Sequence, residues 1–126
     1  MDPPSFLGLR TAIYPVPDME RAKAWYGRVL GIAPYFDQPF YVGFNVGGFE
    51  LGLHPADAAK PAGPGSAVAY WGVERMDQAW PRLLELGASP VTAPMDVGEG
   101  IQVAVAKDPF GNPLGLIENP HFPNTV

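Results

Sequence analysis

The sequence has no cysteine among its 126 residues. This absence excludes disulfide bonds, thiolate nucleophiles and cysteine-based zinc or iron–sulfur sites. The sequence also has no apolar run close to the roughly 20 residues of a membrane-spanning helix, so no membrane partner is expected. The first ten residues, MDPPSFLGLR, have neither a basic start nor an apolar signal core. A cytoplasmic location is therefore expected.

Basic residues are few: the chain has eight Lys and Arg and 13 Asp and Glu, which gives a formal net charge of -5. They are scattered along the chain, whereas a nucleic-acid-binding protein usually has a basic stripe, so no nucleic-acid partner is expected. Glycine (15) and proline (16) are abundant, but 12% of the residues are aromatic. A disordered chain has few aromatic residues, so this composition indicates many turns between short strands.

The chain contains a faint repeat. Tyr14 and Tyr70 each precede a helical pattern, and both patterns end at the same spacing in an LGxxP motif, which begins at Leu30 and at Leu86. The repeat predicts a single domain of two modules, each built of a strand, a helix and three further strands. Module one covers about 8–54, the linker 55–66 and module two about 67–119.

The elements predicted within each module follow from periodicity and turn residues. Module one is predicted to contain a strand at 9–16, a helix from Asp18 as N-cap to Gly31, an extended piece at 35–36, and strands at 40–46 and 49–54. Module two is predicted to contain a strand at 67–73, a helix at about 76–86, and strands near Val91, at 101–107 and at 114–118. Pro81 should kink the second helix or confine it to a shorter segment. Asp108-Pro109 and Gly111-Asn112 predict a turn before the last strand.

Alternation along the strands predicts which side chains face the helices. The apolar set predicted to face the helices comprises Phe40, Val42, Phe44, Val46, Phe49, Leu51, Leu53, Ile101, Val103, Val105, Leu114 and Leu116. The other set comprises Tyr41, Gly43, Asn45, Glu50, Gly52, His54, Gln102, Ala104, Ala106, Gly115 and Ile117. Small residues beside polar anchors favour a concave surface that binds a small molecule. Alternatively, Gly43, Gly52 and Gly115 mark strand twist or bulges.

Four segments resemble, in the same order, parts of the vicinal oxygen chelate superfamily, the glyoxalase/bleomycin-resistance/extradiol-dioxygenase group. They are IYPVPDMERAKAWYGRVLGI, GFELGLH, VAYWGVERMDQAWPRLLELGA and KDPFGNPLGLIEN, and the resemblance covers about residues 8 to 120. It implies an α+β fold in which two βαβββ modules curl into a cup, usually within a homodimer. It does not fix an activity, because function has to be argued from the site.

The resemblance also implies where a metal would be bound, since metal-using members take ligands from the first and last strands of each module. In this sequence those positions are Thr11, Glu50, Val68 and Gly115. Only Glu50 among them is a good ligand for a divalent ion, whereas a catalytic site generally needs three protein ligands. His54 lies roughly 13 Å further along the same strand at about 3.3 Å per residue. His121 could reach the cup only if the tail folds over it, so neither a metal nor a cofactor is expected.

Two classes of function remain open. The first is a metal-free small-molecule-binding protein resembling bleomycin-resistance members, which holds a partly aromatic or cationic ligand in the cup. The second is a lyase or isomerase resembling glyoxalase I, either metal-dependent or using Glu50 as a base. The residues predicted to line the site are Thr11, Ile13, Tyr41, Asn45, Glu50, Val68, Tyr70, Gln102 and Gly115. His54 is predicted at the surface, and His121 in a docked tail or a dimer contact.

Overall fold

The computed structural model describes Leu9 and residues 11–58, 61–63 and 68–121, and in these ranges the chain forms two helices and eight strands. The first module contains β1 (Thr11–Val16), α1 (Met19–Leu30), β2 (Phe36–Gln38), β3 (Tyr41–Val46) and β4 (Phe49–Pro55). The second contains β5 (Tyr70–Gly72), α2 (Met76–Glu85), β6 (Ser89–Asp96), β7 (Gln102–Lys107) and β8 (Pro113–Glu118). The predicted order of strand, helix and three strands is confirmed in both halves.

The eight strands form two four-stranded mixed sheets. The first sheet has the order β1-β4-β3-β2 and the second has the order β5-β8-β7-β6. In each sheet the first strand of the module runs parallel to the last, and the remaining pairs are antiparallel. The predicted α+β fold of two βαβββ modules is confirmed. We call the face of each sheet that is turned away from the helices its cup face.

The ends of α1 follow the sequence signals. The Asp18 side chain accepts a hydrogen bond from the backbone N–H of Arg21 at 3.1 Å, and Gly31 ends the helix with a φ of 71°. Helix α2 continues past Pro81 to Glu85, so the prediction that this proline confines the helix is wrong. Proline removes one backbone donor, and the burial of Met76 and Leu83 holds the helix in place. Neither helix in the described ranges is long and apolar enough to cross a membrane.

Several strand boundaries differ from the prediction, among them those of β1, β4 and β5. Strand β1 begins at Thr11, two residues later than predicted, and Arg10 lies outside the described residues. Strand β5 is only three residues long, and the predicted start of its module at Ala67 also lies outside the described residues. Strand β4 extends to Pro55, so the first predicted linker residue belongs to the sheet.

The core lies between the helices and the two sheets. Trp25 and Tyr26 of α1 pack there with four strand residues that the alternation assigned to this side, namely Val42, Phe44, Leu51 and Leu53, all at most 2% exposed. For β7 the predicted faces were wrong. Ala104 and Ala106 are 0% exposed and pair with Leu116 and Leu114, so they face the helices. Both faces of β7 carry apolar side chains, alanines on one and valines on the other, so the sequence pattern could not decide between them.

The two modules cap each other's helices. The Trp25 indole N–H of α1 donates to the carbonyl of Leu86 at the end of α2, at 2.7 Å. In return the Arg82 guanidinium of α2 donates to the carbonyls of Arg28 and Val29 near the end of α1, at 2.8 and 3.0 Å. These side chains satisfy carbonyls that lack partners within their own helix.

Asp108, at the start of the turn before β8, links both modules. Its carboxylate is 3% exposed and accepts hydrogen bonds from the Tyr26 hydroxyl at 2.7 Å and from the backbone N–H groups of Phe110 and Asn112, both at 2.8 Å. The Asn112 side chain in turn donates to the carbonyl of Pro15 in β1 at 2.8 Å. A buried polar network therefore joins α1, β1 and this turn.

Candidate functional site

The cup face of the first sheet presents one carboxylate. Glu50 lies in β4 and pairs with Thr11 of β1 on one side and with Asn45 of β3 on the other. Paired residues in neighbouring strands point to the same face of a sheet. All three side chains therefore lie on the cup face, as the alternation predicted for Asn45 and Glu50.

Three hydroxyl groups donate to the Glu50 carboxylate. The Thr11 hydroxyl lies 2.7 Å and the Tyr41 hydroxyl 2.6 Å from Oε1, and the Tyr35 hydroxyl donates to Oε2. We call Thr11, Tyr35, Tyr41 and Glu50 the carboxylate cluster. It uses residues from β1, β3, β4 and the loop that follows α1.

The sequence analysis missed Tyr35. This residue lies just before β2, in a segment too short for alternation to indicate a face. Its backbone N–H donates to the carbonyl of Gly43 at 2.9 Å, which fixes the loop against β3 and directs the phenol over Glu50. Only the loop geometry brings it there, and no local sequence pattern identified it.

Two glycines make room for the carboxylate cluster. A Cβ atom at Gly52 would lie 2.6 Å from Cζ of Tyr41, and one at Gly43 would lie 2.7 Å from Oε2 of Glu50 and 3.0 Å from Cε1 of Tyr35. The pairing of β3 with β4 is continuous through both glycines. The interpretation of these two positions as bulges is therefore wrong, and close approach of side chains explains them.

Hydrogen bonding sets the charge of the cluster. Burial raises the pKa of Glu50, but the hydrogen bonds from Tyr35, Tyr41 and Thr11 outweigh it, and the pKa lies below its usual value. The hydrogen bond to Glu50 raises the pKa of Tyr35, and burial together with the same carboxylate raises that of Tyr41. At neutral pH the cluster is thus one carboxylate anion surrounded by neutral hydroxyls, and its charge is lost only below the usual titration range of glutamate.

A shallow depression of about 330 Å³ surrounds the carboxylate. It is lined by Thr11, Tyr35, Asn45, Gly48, Phe49 and Glu50. Tyr35 is 64% exposed and its phenol reaches Glu50, whereas the pairing of Phe49 with Val46 places the Phe49 side chain on the same side of β4 as Leu51. The depression therefore combines one negative charge with accessible aromatic surface.

The register of the second sheet corrects the position assigned to Glu50. Gly115 of β8 pairs with Tyr70 of β5, as Gly52 of β4 pairs with Ile13 of β1. Each glycine also lies between two buried leucines. Gly52 is therefore the counterpart of Gly115, and Glu50 lies two residues earlier in its strand.

Tyr70 fills the space beside Gly115. A Cβ atom at Gly115 would lie 2.7 Å from Cδ1 of Tyr70 and 2.8 Å from the carbonyl oxygen of Ala69. The pairing of β8 with both neighbours is continuous there, so a bulge does not explain this glycine either. The repeat had matched Tyr70 with Tyr14, but Tyr14 is 7% exposed on the helix side, where its hydroxyl accepts from the Trp71 indole at 2.9 Å.

The side chains at the metal positions of the family do not fit a divalent ion. Thr11 donates its hydroxyl proton to Glu50, Val68 offers only hydrocarbon, and Gly52 and Gly115 have no side chain. Both Glu50 oxygens already accept hydrogen bonds from hydroxyl groups. Within the described ranges no three His, Cys, Asp or Glu residues form a group that could hold a metal. We therefore derive no chemistry through a metal at this site.

The other predicted site residues lie in different places. Ile13 and Tyr70, 46% and 47% exposed, lie on the cup faces of the first and second sheet. Val68 is partly buried just before β5. Gln102 pairs with Glu118 in the register that brings Ala104 to the helices, so it lies on the helix side of β7. The prediction that Gln102 faces the cup is corrected by this register.

The two histidines lie outside the carboxylate cluster. His54 is at the end of β4, with Nδ1 2.8 Å from the carbonyl oxygen of Pro55. Nε2 of His121 is 2.8 Å from the carbonyl oxygen of Glu99, so this part of the tail contacts the turn before β7. Residues 122–126 of the tail lie outside the described residues.

Addition of nickel, zinc or manganese should leave the melting temperature unchanged, because the donor set is incomplete. A ligand that binds only the folded state at 100 times its Kd stabilises by about 2.7 kcal/mol, which is readily detected. The measurement is a thermal melt of untagged protein with and without each metal, together with elemental mass spectrometry of protein purified without chelator. About one metal per chain, or a clear upward shift, would contradict the assignment of the donor set.

Comparisons with known proteins agree on the fold. The model of the Glyoxalase/Bleomycin resistance protein/Dioxygenase superfamily matches residues 8–116. Among solved structures, the chain is similar to a glyoxalase-related enzyme from Fulvimarina pelagi, with 21% identity over 94% of this chain and 92% of that one and a TM-score of 0.75. A superfamily member from Sphaerobacter thermophilus DSM 20745 has 21% identity over 90% and 98%, with a TM-score of 0.72. No curated protein matches the sequence.

Proposed function

Because the chain belongs to the glyoxalase/bleomycin resistance protein/dioxygenase superfamily, we propose that it uses this fold to bind a small molecule without a metal, with a cationic or partly aromatic ligand held against Glu50. The observation that carries the proposal is the Glu50 carboxylate, which three hydroxyl groups hold as an anion on the cup face. A carboxylate fixed in this way is a charge partner for a cation and needs no further protein group to act as one.

The same cluster argues against the alternative that Glu50 is a catalytic base. A general base is most effective when its pKa lies near the working pH. At Glu50 the hydrogen bonds from the three hydroxyl groups outweigh the effect of burial, so the pKa of the carboxyl group lies below its usual value. The raised pKa values of Tyr35 and Tyr41 also make these hydroxyls weak acids. Anchoring a ligand demands only the charge, so the geometry favours binding over proton transfer.

The surroundings of Glu50 suit an organic cation. Aromatic rings attract cations through the negative face of the ring, and the ring of Tyr35 borders the depression. The formal net charge of -5 adds a weak long-range attraction for positive ligands. A flat ligand with one positive group would therefore find both a charge partner and a stacking surface.

Glu50→Gln should weaken the binding of small aromatic cations on the order of tenfold or more, about 1.4 kcal/mol, because it removes the anion while keeping the size of the side chain. The probes are benzylammonium and phenylguanidinium, titrated by isothermal calorimetry or ligand-detected NMR at neutral pH. Glu85→Gln is the matched control, since it removes one negative charge from exposed α2 surface, away from the cup. Binding to this control should equal binding to the parent.

Three results would contradict the proposal. Equal affinity of the parent and Glu50→Gln for these cations would show that the carboxylate is not the charge partner. Turnover in a glyoxalase-type assay, abolished by Glu50→Gln, would favour the lyase or isomerase that the sequence left open. If neither cation binds, and no neutral or anionic aromatic compound binds either, the binding role is rejected.

We extend the proposal to a cytoplasmic homodimer. Ile13 and Tyr70 leave about half of their surface exposed on the two cup faces. Every residue of β6 is exposed, and Val91 and Met95 are 59% and 51% exposed. Apolar surface gathered in this way is typical of protein–protein interfaces. A second copy of the chain that covers these surfaces would deepen the depression around Glu50.

A further inference from the structure

The carboxylate cluster restricts the direction of every hydroxyl proton in it. An ionised carboxylate only accepts hydrogen bonds, and each hydroxyl carries a single proton. Thr11 and Tyr41 lie 2.7 and 2.6 Å from the same Glu50 oxygen, and Tyr35 contacts the other oxygen. All three protons must therefore point at Glu50, and none is available to a ligand.

What the cluster offers to a ligand is consequently a set of acceptors. Oε2 of Glu50 accepts one hydroxyl in these contacts, whereas Oε1 accepts two, so Oε2 keeps an unused acceptor position. The phenolic oxygens of Tyr35 and Tyr41 also retain lone pairs. The hydrogen bond to Glu50 raises the pKa of Tyr35, and burial together with the same carboxylate raises the pKa of Tyr41, so both remain neutral acceptors at neutral pH.

The rim of the depression differs from its centre. The Asn45 side-chain oxygen accepts from the backbone N–H of Gly48 at 2.9 Å, which orients the amide and leaves its NH₂ group as a donor. This donor belongs to β3, and the acceptors lie around Glu50 in β4. The depression thus has one negative, acceptor-only end and one neutral donor at its edge.

We propose that the ligand group that meets Glu50 is a nitrogen cation with several N–H donors, such as a primary ammonium, amidinium or guanidinium group. A quaternary ammonium group carries the same charge but no donor, so it leaves these acceptors without partners. An anion would be repelled by the Glu50 carboxylate, and the cluster has no free donor that could compensate. A neutral alcohol supplies one donor and no charge. This assignment rests on the proposed binding function and names the ligand class for the same site.

The size of the depression restricts the rest of the ligand. Its volume of about 330 Å³ is at the lower end of the range for small-molecule sites. The ring of Tyr35 borders it, which suits one aromatic ring carrying the cation on a short chain. Benzylammonium has this form, and benzyltrimethylammonium has the same ring and charge without N–H donors.

The test measures the affinity of the full chain for benzylammonium, benzyltrimethylammonium, benzyl alcohol and benzoate at neutral pH by calorimetry or NMR titration. Benzylammonium should bind at least about tenfold more tightly than each of the other three, since a site lined by hydrogen-bonding groups rejects analogues that lack the matching partner. Glu50→Gln should remove this selectivity, because its amide brings a donor into the acceptor set.

The outcomes separate this assignment from the proposed function. If benzyltrimethylammonium binds the parent as tightly as benzylammonium, and Glu50→Gln weakens both, the site is a cation site without N–H selectivity and the assignment is overturned while the binding function stands. If none of the four compounds binds, or benzoate and benzyl alcohol bind best, both the assignment and the proposed function are rejected.

Discussion

Asp108→Ala should lower the free energy of unfolding by about 3 kcal/mol or more, because it removes the common acceptor of four buried donors. These are the hydroxyl of Tyr26, which is 0% exposed, the backbone N–H groups of Phe110 and Asn112, and more weakly the side-chain amide of Asn112 at 3.4 Å. Water cannot replace the carboxylate without opening the contact between α1 and the turn before β8. Urea unfolding followed by tryptophan fluorescence measures the change.

Two variants separate the parts of this effect. Asp108→Asn keeps an oxygen for the two backbone donors and should cost less than Asp108→Ala, since the Tyr26 hydroxyl can then accept from the new amide. Tyr26→Phe removes a single hydrogen bond and should cost about 1 kcal/mol. A loss below about 1 kcal/mol for Asp108→Ala would mean that the network contributes little to holding the modules together.

Gly115→Ala should destabilise the fold by about 1–3 kcal/mol, because its methyl group would overlap a ring and a backbone carbonyl. The Cβ atom would lie 2.7 Å from Cδ1 of Tyr70 and 2.8 Å from the oxygen of Ala69. The tyrosine ring can rotate away, but the carbonyl belongs to the chain that pairs with β8 and accepts from the Gly115 N–H at 3.0 Å. Strand β5 would have to shift to relieve the contact.

Gly72→Ala is the matched control for this prediction. Gly72 is exposed in the same sheet, and a Cβ atom there would have no neighbour within 4 Å. Its replacement should change the free energy of unfolding by no more than about 0.5 kcal/mol. Equal effects of the two substitutions in urea unfolding would show that the space beside Gly115 is not filled. If the prediction holds, a glutamate at this position cannot be accommodated without moving β5, so the metal position is closed by packing as well as by composition.

The sequence by itself determined the features that adjacent residues control. The N-cap at Asp18, the left-handed residue Gly31 and the Gly47-Gly48 turn, with φ values of 62° and 94°, all lie where the sequence predicts them. Such features depend on interactions within a few residues, or on the freedom of glycine to adopt positive φ. The order of the elements followed from them and from hydrophobic periodicity, and the family resemblance agreed with that order.

The composition of the site was determined only in part. Alternation in β3 and β4 predicted that Tyr41 and Glu50 lie opposite the apolar set, and the family resemblance added Thr11. The sequence could not show that their hydroxyls and carboxylate touch, since that depends on strand register. It could not place Tyr35 at all, because a loop carries no periodicity.

The tertiary structure alone decided the faces of β7, the equivalence of Gly52 with Gly115, and the role of Asp108. In β7 one face carries alanines and the other valines, so only pairing with Leu114 and Leu116 shows that Ala104 and Ala106 face the helices. The other two features join residues far apart in the chain, and a shift of one residue in register would reverse every face. Cross-strand pairing is not visible in any local sequence pattern. It therefore determined where the Glu50 carboxylate lies and which residues occupy the metal positions of the family.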